Sequence, residues 1–275
     1  MLRRILIPTD LSAASNSVFP CAITLAQAFT SKAYLLHVMD PDSVNEPERL
    51  EDFPRLSRFL STELHARDLP PLAATVPVGK IYRYSKSPAG VIVDFAKNKR
   101  IDLICMAATH VGQNLAWWSA GPDIERVLKH APCSVLCLRG RAVAEKEWKR
   151  PRFKHILLLA ELSSLGTGPL LKVLPLVQKF NSMLHVLPLH RGRLFQSLDQ
   201  LPPSAVSHLN SPQTNVLLFA DPGRRMHNLL RFVTNTAIDL IVMSPQTRAR
   251  FSTPLVSDVL VELMRATESP VLVLR

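Results

Sequence analysis

Arg4-Ile-Leu-Ile-Pro-Thr-Asp-Leu-Ser12 opens the chain, and His155-Ile-Leu-Leu-Leu-Ala-Glu-Leu-Ser163 repeats it in the second half. Each is a short apolar run, rich in branched residues, that ends at an acid and a serine. That is the pattern of a strand feeding a helix N-terminus. The echoes continue in order: Leu35-Leu-His-Val38 with Met183-Leu-His-Val186, Ile101-Asp-Leu-Ile-Cys-Met106 with Ile238-Asp-Leu-Ile-Val-Met243, and Cys133-Ser-Val-Leu-Cys-Leu-Arg139 with Ser269-Pro-Val-Leu-Val-Leu-Arg275. The spacing exceeds that of any solenoid repeat, so the duplicated unit is a whole domain.

Between the opening strand and the closing one, strands alternate with helices. In the first half the expected elements are strand Ile5–Thr9, helix Val18–Phe29, strand Tyr34–Met39, helix Glu48–Arg67, strand Ala74–Val78, helix Pro88–Lys99, strand Leu103–Ala107, helix Pro122–His130 and strand Ser134–Leu138. The second half offers strands at Ile156–Ala160, Met183–Leu187, Asn215–Phe219, Leu240–Met243 and Val271–Leu274, while 189–212 is broken by Gly192, Pro202, Pro203 and Pro212. Alternation with nearly continuous apolar strands implies right-handed crossovers and a mostly parallel sheet covered on both faces. The fold class is therefore α/β, two tandem doubly wound domains, at residues 1–140 and 155–275, joined by a connector at 141–154.

At 275 residues the chain suits two domains. No apolar run approaches the roughly 18 residues of a spanning helix. The apolar stretch behind Met1-Leu-Arg-Arg4 is too short for a secretory leader, so a cytoplasmic location is expected. The four cysteines fall in apolar segments and read as core packing. Cys133 and Cys137 would lie roughly 13 Å apart along a strand, too far to share an ion, and no metal is expected.

The net charge of +11 divides into +3 over residues 1–140, +4 over 141–154 and +4 over 155–275. The connector, with Trp148 among Lys149, Arg150 and Arg152, reads as a solvated linker. An anionic partner is the alternative reading, although no nucleic-acid motif accompanies it.

Together these residues resemble the universal stress protein family in its tandem two-domain form. Ile5 to Ser15 is similar to the family's first strand and turn, Leu35–Val38 to its second strand, 101–106 to its fourth, and Glu125-Arg-Val-Leu-Lys-His-Ala-Pro-Cys-Ser-Val-Leu136 to its last helix and strand. The resemblance implies a five-stranded sheet of order 3-2-1-4-5 in each domain, the adenine nucleotide alpha hydrolase-like arrangement. A crevice then opens at the carboxyl ends of strands one and four. It also implies that the closing strands of the two halves pair into an internal pseudo-dimer. A homo-oligomer, a protein partner and the stress signal stay open.

Members that bind ATP place adenosine against the first-strand Pro-Thr-Asp turn and the second-strand valine, and the phosphates on a glycine loop. Pro8, Thr9, Asp10 and Val38 match the adenosine positions, and Met106, His110 and Gly121 complete the candidate crevice of domain 1. Asp10 and Ser12 are equally what a helix N-cap requires. The phosphate half departs from the pattern: counting back from Gly121, Ala108 and Val111 stand where the paired glycines would be, and Pro122 replaces the hydroxyl residue that follows Gly121. Side chains there obstruct close approach of phosphate to main-chain N–H groups, and proline has no N–H to give. Asp123 further opposes an anion at that helix end.

Domain 2 carries Leu159, Ala160 and Glu161 in place of the Pro-Thr-Asp turn, Ser244 and Thr247 at the glycine positions, and Ser257-Asp258 at the last helix start. No nucleotide is expected there. The sequence lacks a nucleophile elbow, a Walker loop and paired metal ligands, so no catalytic residue is assigned. The leading expectation is a non-enzymatic stress-response binding module with at most weak adenine-nucleotide binding, ATP included, in domain 1. ATP hydrolysis in the same crevice and polyanion binding by the linker are the alternatives.

Overall fold

The computed structural model of the chain describes residues 2–10, 12, 15, 17–41, 76–108, 122–139, 151–161, 168–189, 214–216, 225–244, 263–264 and 266–275. It divides into two compact units, Met1–Pro151 and Arg152–Arg275. Residues 152–154, part of the connector in the sequence reading, fall within the second unit. Phe153 there is fully buried and meets Phe180 edge-on at 4.9 Å.

In unit 1, β1 (Arg4–Thr9) leads through α1 (Phe19–Phe29) to β2 (Lys32–Met39), and β3 (Val78–Tyr84) through α2 (Pro88–Asn98) to β4 (Leu103–Ala108); α3 (Pro122–His130) then precedes β5 (Ser134–Arg139). Every pairing is parallel and the order is β3-β2-β1-β4-β5. Ile5, Leu6, Ile7, Leu35, Leu36, Ile104 and Leu136 are buried, as a sheet covered on both faces requires. α1 starts without a side-chain cap and carries Pro20 in its first turn, where the missing N–H costs no intrahelical bond.

Unit 2 repeats the plan with β6 (His155–Glu161), α4 (Pro169–Phe180), β7 (Met183–Leu189), β8 (Thr214–Val216), α5 (Arg225–Asn235), β9 (Leu240–Met243) and β10 (Val271–Val273). Its pairings are parallel and its order, β8-β7-β6-β9-β10, is the same 3-2-1-4-5 arrangement.

The junctions are duplicated in detail. One oxygen of Asp102 accepts the main-chain N–H groups of Arg3 and Arg4 at 2.8 and 2.9 Å, and one of Asp239 accepts those of Lys154 and His155 at 2.7 and 2.9 Å. These acids fasten the entry of the central strand to the start of its neighbour. α1 and α4 both end in a left-handed residue, Thr30 (φ 53°) and Asn181 (φ 49°), followed by a buried serine. Arg100 and Ala237, both at φ 49°, close α2 and α5 at matching places. Such helix ends hand orphan carbonyls to the residues that follow, which here start the next strand.

Two sequence readings need correction. The third strand was expected at Ala74–Val78, whereas β3 begins at Val78 and carries Lys80 and Arg83. It is an edge strand, and edge strands are not continuously apolar, so the apolar run before it was misleading. The echo between Leu35-Leu-His-Val38 and Met183-Leu-His-Val186 is out of register. Arg4 pairs with Lys32 and His155 with Met183, so Lys32 and Met183 are equivalent and His185 stands where Tyr34 does. The helix Glu48–Arg67, most of strand 215–219, the irregular stretch at 190–212 and connector residues 141–150 lie outside the described residues.

Candidate functional site

Strand order reverses at β1, which has β2 on one side and β4 on the other, so its carboxyl end faces the opening where doubly wound sheets hold ligands. Pro8 and Thr9 end β1 and Asp10 follows. Met106 lies two residues beyond Ile104, the partner of Leu6, which brings it level with Pro8. Val38 lies one residue beyond His37, the partner of Thr9, and so stands beside Asp10. Pro8, Thr9, Asp10, Val38 and Met106 therefore stand near one another at the carboxyl ends of β1, β2 and β4. His110 and Gly121 lie outside the described residues.

The turn is held by short polar bonds. Thr9 is buried, and its hydroxyl is 2.9 Å from the hydroxyl of Ser15. The Ser15 hydroxyl also lies 3.1 Å from the Ser12 carbonyl, and either hydroxyl can be the donor in the contact between Thr9 and Ser15. The Ser12 hydroxyl accepts the Ser15 N–H at 3.0 Å, as an N-cap does. Asp10 is exposed, and one of its oxygens accepts the Ser12 N–H at 2.9 Å. Partial burial pushes the Asp10 carboxyl up, but hydrogen bonds from Ser12, Ser15 and the main chain outweigh it, and its pKa falls below the usual value.

Sequence reasoning missed Ser15 and His37. His37 is buried and its Nδ1 lies 2.8 Å from the Thr9 carbonyl. A carbonyl only accepts, so Nδ1 carries the hydrogen. The available signal was a histidine inside an otherwise apolar strand, which asks for a buried partner. In unit 2 the partner of Ala160 is Pro188, and Ala160 is fully buried where unit 1 has the threonine. The turn bonding of unit 1 thus has no counterpart at these two positions.

As for a nucleotide, the described half of the crevice offers an exposed, ionised acid beside a half-buried valine, a pair that suits a ribose hydroxyl and an apolar base. Among the described residues there is no group of three or more His, Cys, Asp or Glu placed to hold a metal ion, and no helix long and apolar enough to cross a membrane.

Comparison with known proteins agrees with this architecture. The profile of the Universal stress protein family matches residues 1–139. Universal stress protein MJ0531 of Methanocaldococcus jannaschii is 30% identical over 143 residues, covering 50% of this chain and 83% of its own length. A universal stress protein from Archaeoglobus fulgidus superposes with a TM-score of 0.69 at 16% identity, covering 99% of this chain and 96% of the other. The protein PA1789 from Pseudomonas aeruginosa, described as functionally unknown, gives 0.64 at 18% identity with 99% and 92% covered, so the fold likeness extends over both units. By the match of its first half and the recurrence of the same sheet in its second, the chain belongs to the universal stress protein family.

Proposed function

We propose that this chain is a non-enzymatic stress-response binding module whose first unit binds adenine nucleotides weakly, through the nucleoside and not the phosphates. The observation that carries the reading is the bonded turn of Thr9, Ser12, Ser15 and His37, which presents the Asp10 carboxylate at the crevice in ionised form. Ala108, Val111 and Pro122 support the second half of the proposal, since they remove the glycine freedom and the N–H donors a triphosphate would use. Unit 2, with Leu159 and Ala160 at the corresponding strand end, is its structural companion and binds no nucleotide.

Titration calorimetry with ATP, ADP and AMP tests this. Affinities that agree within about threefold, a difference under about 1 kcal/mol, would show that the phosphates add little. Asp10→Ala should remove the heat signal for all three. Submicromolar ATP binding with much weaker AMP binding would overturn the proposal, as would ATP turnover lost in the same variant.

A further inference from the structure

In unit 1, Tyr34 on β2 meets Phe95 on α2 edge-on, with ring centroids 5.7 Å apart. Unit 2 keeps the aromatic on the helix and replaces the tyrosine: His185 meets Phe232 edge-on at 5.3 Å. The neighbouring position on the central strand changes too, from Arg4 to His155. The two imidazoles lie nearly parallel, centroids 5.5 Å apart, with Nδ1 of His155 3.2 Å from Nε2 of His185. His185 is only 5% exposed, and its Nδ1 is buried with no hydrogen-bond partner.

Proton counting shows what this geometry tolerates. The neutral pair has two ring hydrogens. One occupies the contact between the rings, and the other is best placed on Nε2 of His155, which is less buried than His185, with His185 Nε2 as the donor in the contact. Nδ1 of His185 then presents only a lone pair to its apolar surroundings. If a third hydrogen is added and the contact kept, it must go to that Nδ1, creating a buried N–H without an acceptor. If a fourth is added, two N–H groups face each other, the contact breaks, and two like charges are left close together.

We propose that the His155–His185 pair is an acid-sensitive latch that holds β6 against β7 while the pair is neutral and loosens this part of unit 2 when it takes up a proton. Few other charges bear on it among the described residues. Just before β9 stands Asp239, whose carboxylate is already bonded to the main-chain N–H groups of Lys154 and His155. On α5 the described ionisable side chains, His227 and Arg231, are exposed, while Leu229 and Val233 are buried. β8 contributes Thr214 and Asn215, neither ionisable, and Lys154, next to His155 on the chain, is exposed. Burial, and then the charge of His155, hold the His185 pKa below its ordinary value. Stability supplied by the neutral pair is thus complete above the unfolded histidine value of about 6.5 and is lost as pH falls through the lower folded value, by up to about tenfold in the opening equilibrium per pH unit for each proton excluded.

Hydrogen exchange on the full chain tests the latch, with protection factors corrected for intrinsic exchange at pH 7.5 and 5.0. Protection of β6 and β7 should fall about tenfold or more at the lower pH. In His185→Tyr, which restores the residue type of unit 1, it should stay level. An equal fall in wild type and variant, or no fall in wild type, would overturn the proposal. Should the variant not fold, imidazole C–H resonances of the wild-type chain decide. A His185 ring that titrates below the ordinary histidine value of about 6.5 supports the latch, and a His185 ring that titrates at or above that value refutes it.

Discussion

Ser31 and Ser182 do the same work in the two halves: each is fully buried and donates its hydroxyl to a main-chain carbonyl 29 residues upstream, Leu2 and Phe153 respectively. Each follows the left-handed residue that ends a helix, and each ties the start of the second strand to the residue two before the first. The register of the β1–β2 and β6–β7 pairs is set at these serines.

Ser182→Ala should therefore destabilise unit 2 by about 1–3 kcal/mol, since the Phe153 carbonyl loses a buried partner. Urea unfolding followed by hydrogen exchange within β6 and β7 would measure it. Ser182→Thr should be worse than its chemistry suggests, because the site has no exposed surface for the added methyl.

Tyr34 lies against Gly79, its register partner on β3, so closely that a Cβ at Gly79 would come within 3.2 Å of the ring. The ring is held from other sides by Phe95 and by the Lys32 ammonium, 5.1 Å from its centroid. In an open strand, alanine would improve on glycine by reducing the freedom of the unfolded chain. Here Gly79→Ala should cost about 1 kcal/mol and Gly79→Val more, by overpacking. The thermal midpoints of the two variants would show the order.

For Asp10 the folded pKa is depressed, so the unfolded chain binds more protons in the acid range and stability rises with pH there. Its contribution is present above the unfolded value of about 3.9 and is lost as pH falls through the lower folded value. Asp10→Asn should flatten the dependence of the unfolding midpoint on pH below the unfolded carboxylate value of about 3.9 and leave the dependence above about 5 unchanged. A profile parallel to wild type in the acid range would count against the hydrogen bonding assigned to this turn.

All four cysteines are buried thiols outside any disulfide, and burial pushes the thiols of Cys21 and Cys137 up to about 12 and that of Cys105 well above its ordinary value. Thiolate is the reactive form. A disulfide reagent at about pH 8 should therefore leave the native chain unmodified over minutes and label all four cysteines once denaturant is added. Rapid labelling of even one in the native state would contradict the packing around β4 and β5.

Much of this was readable from the chain. Ile5–Ile7, Leu103–Cys105 and their partners in the second half are buried on both faces of a parallel sheet, so their apolar runs announce them without reference to neighbours. The duplicated Asp102 and Asp239 stood in the repeat Ile-Asp-Leu-Ile, although their role as acceptors for the opening strand appears only when residues far apart in sequence are brought together. Of the candidate crevice, the switch-point rule pointed to Pro8, Thr9, Asp10 and the end of β4 at Met106, and the family resemblance to Val38; strand register sets these positions near one another. Ser15 and His37 were not legible, since a bond from His37 to the Thr9 carbonyl depends on register.

By itself the sequence determined the duplication, the alternation of strands and helices and the chemistry missing from the phosphate loop, because periodicity, composition and the absence of a side chain or N–H are local properties. Only the tertiary structure decided which residues of the two halves are equivalent. Matching letters aligned His185 with His37, whereas Ser31 and Ser182 align it with Tyr34. Strand register follows from buried bonds between distant parts of the chain, and a displacement along the strand gives every side chain a different set of neighbours. That displacement is what placed His185 beside His155 instead of beside a strand-end carbonyl.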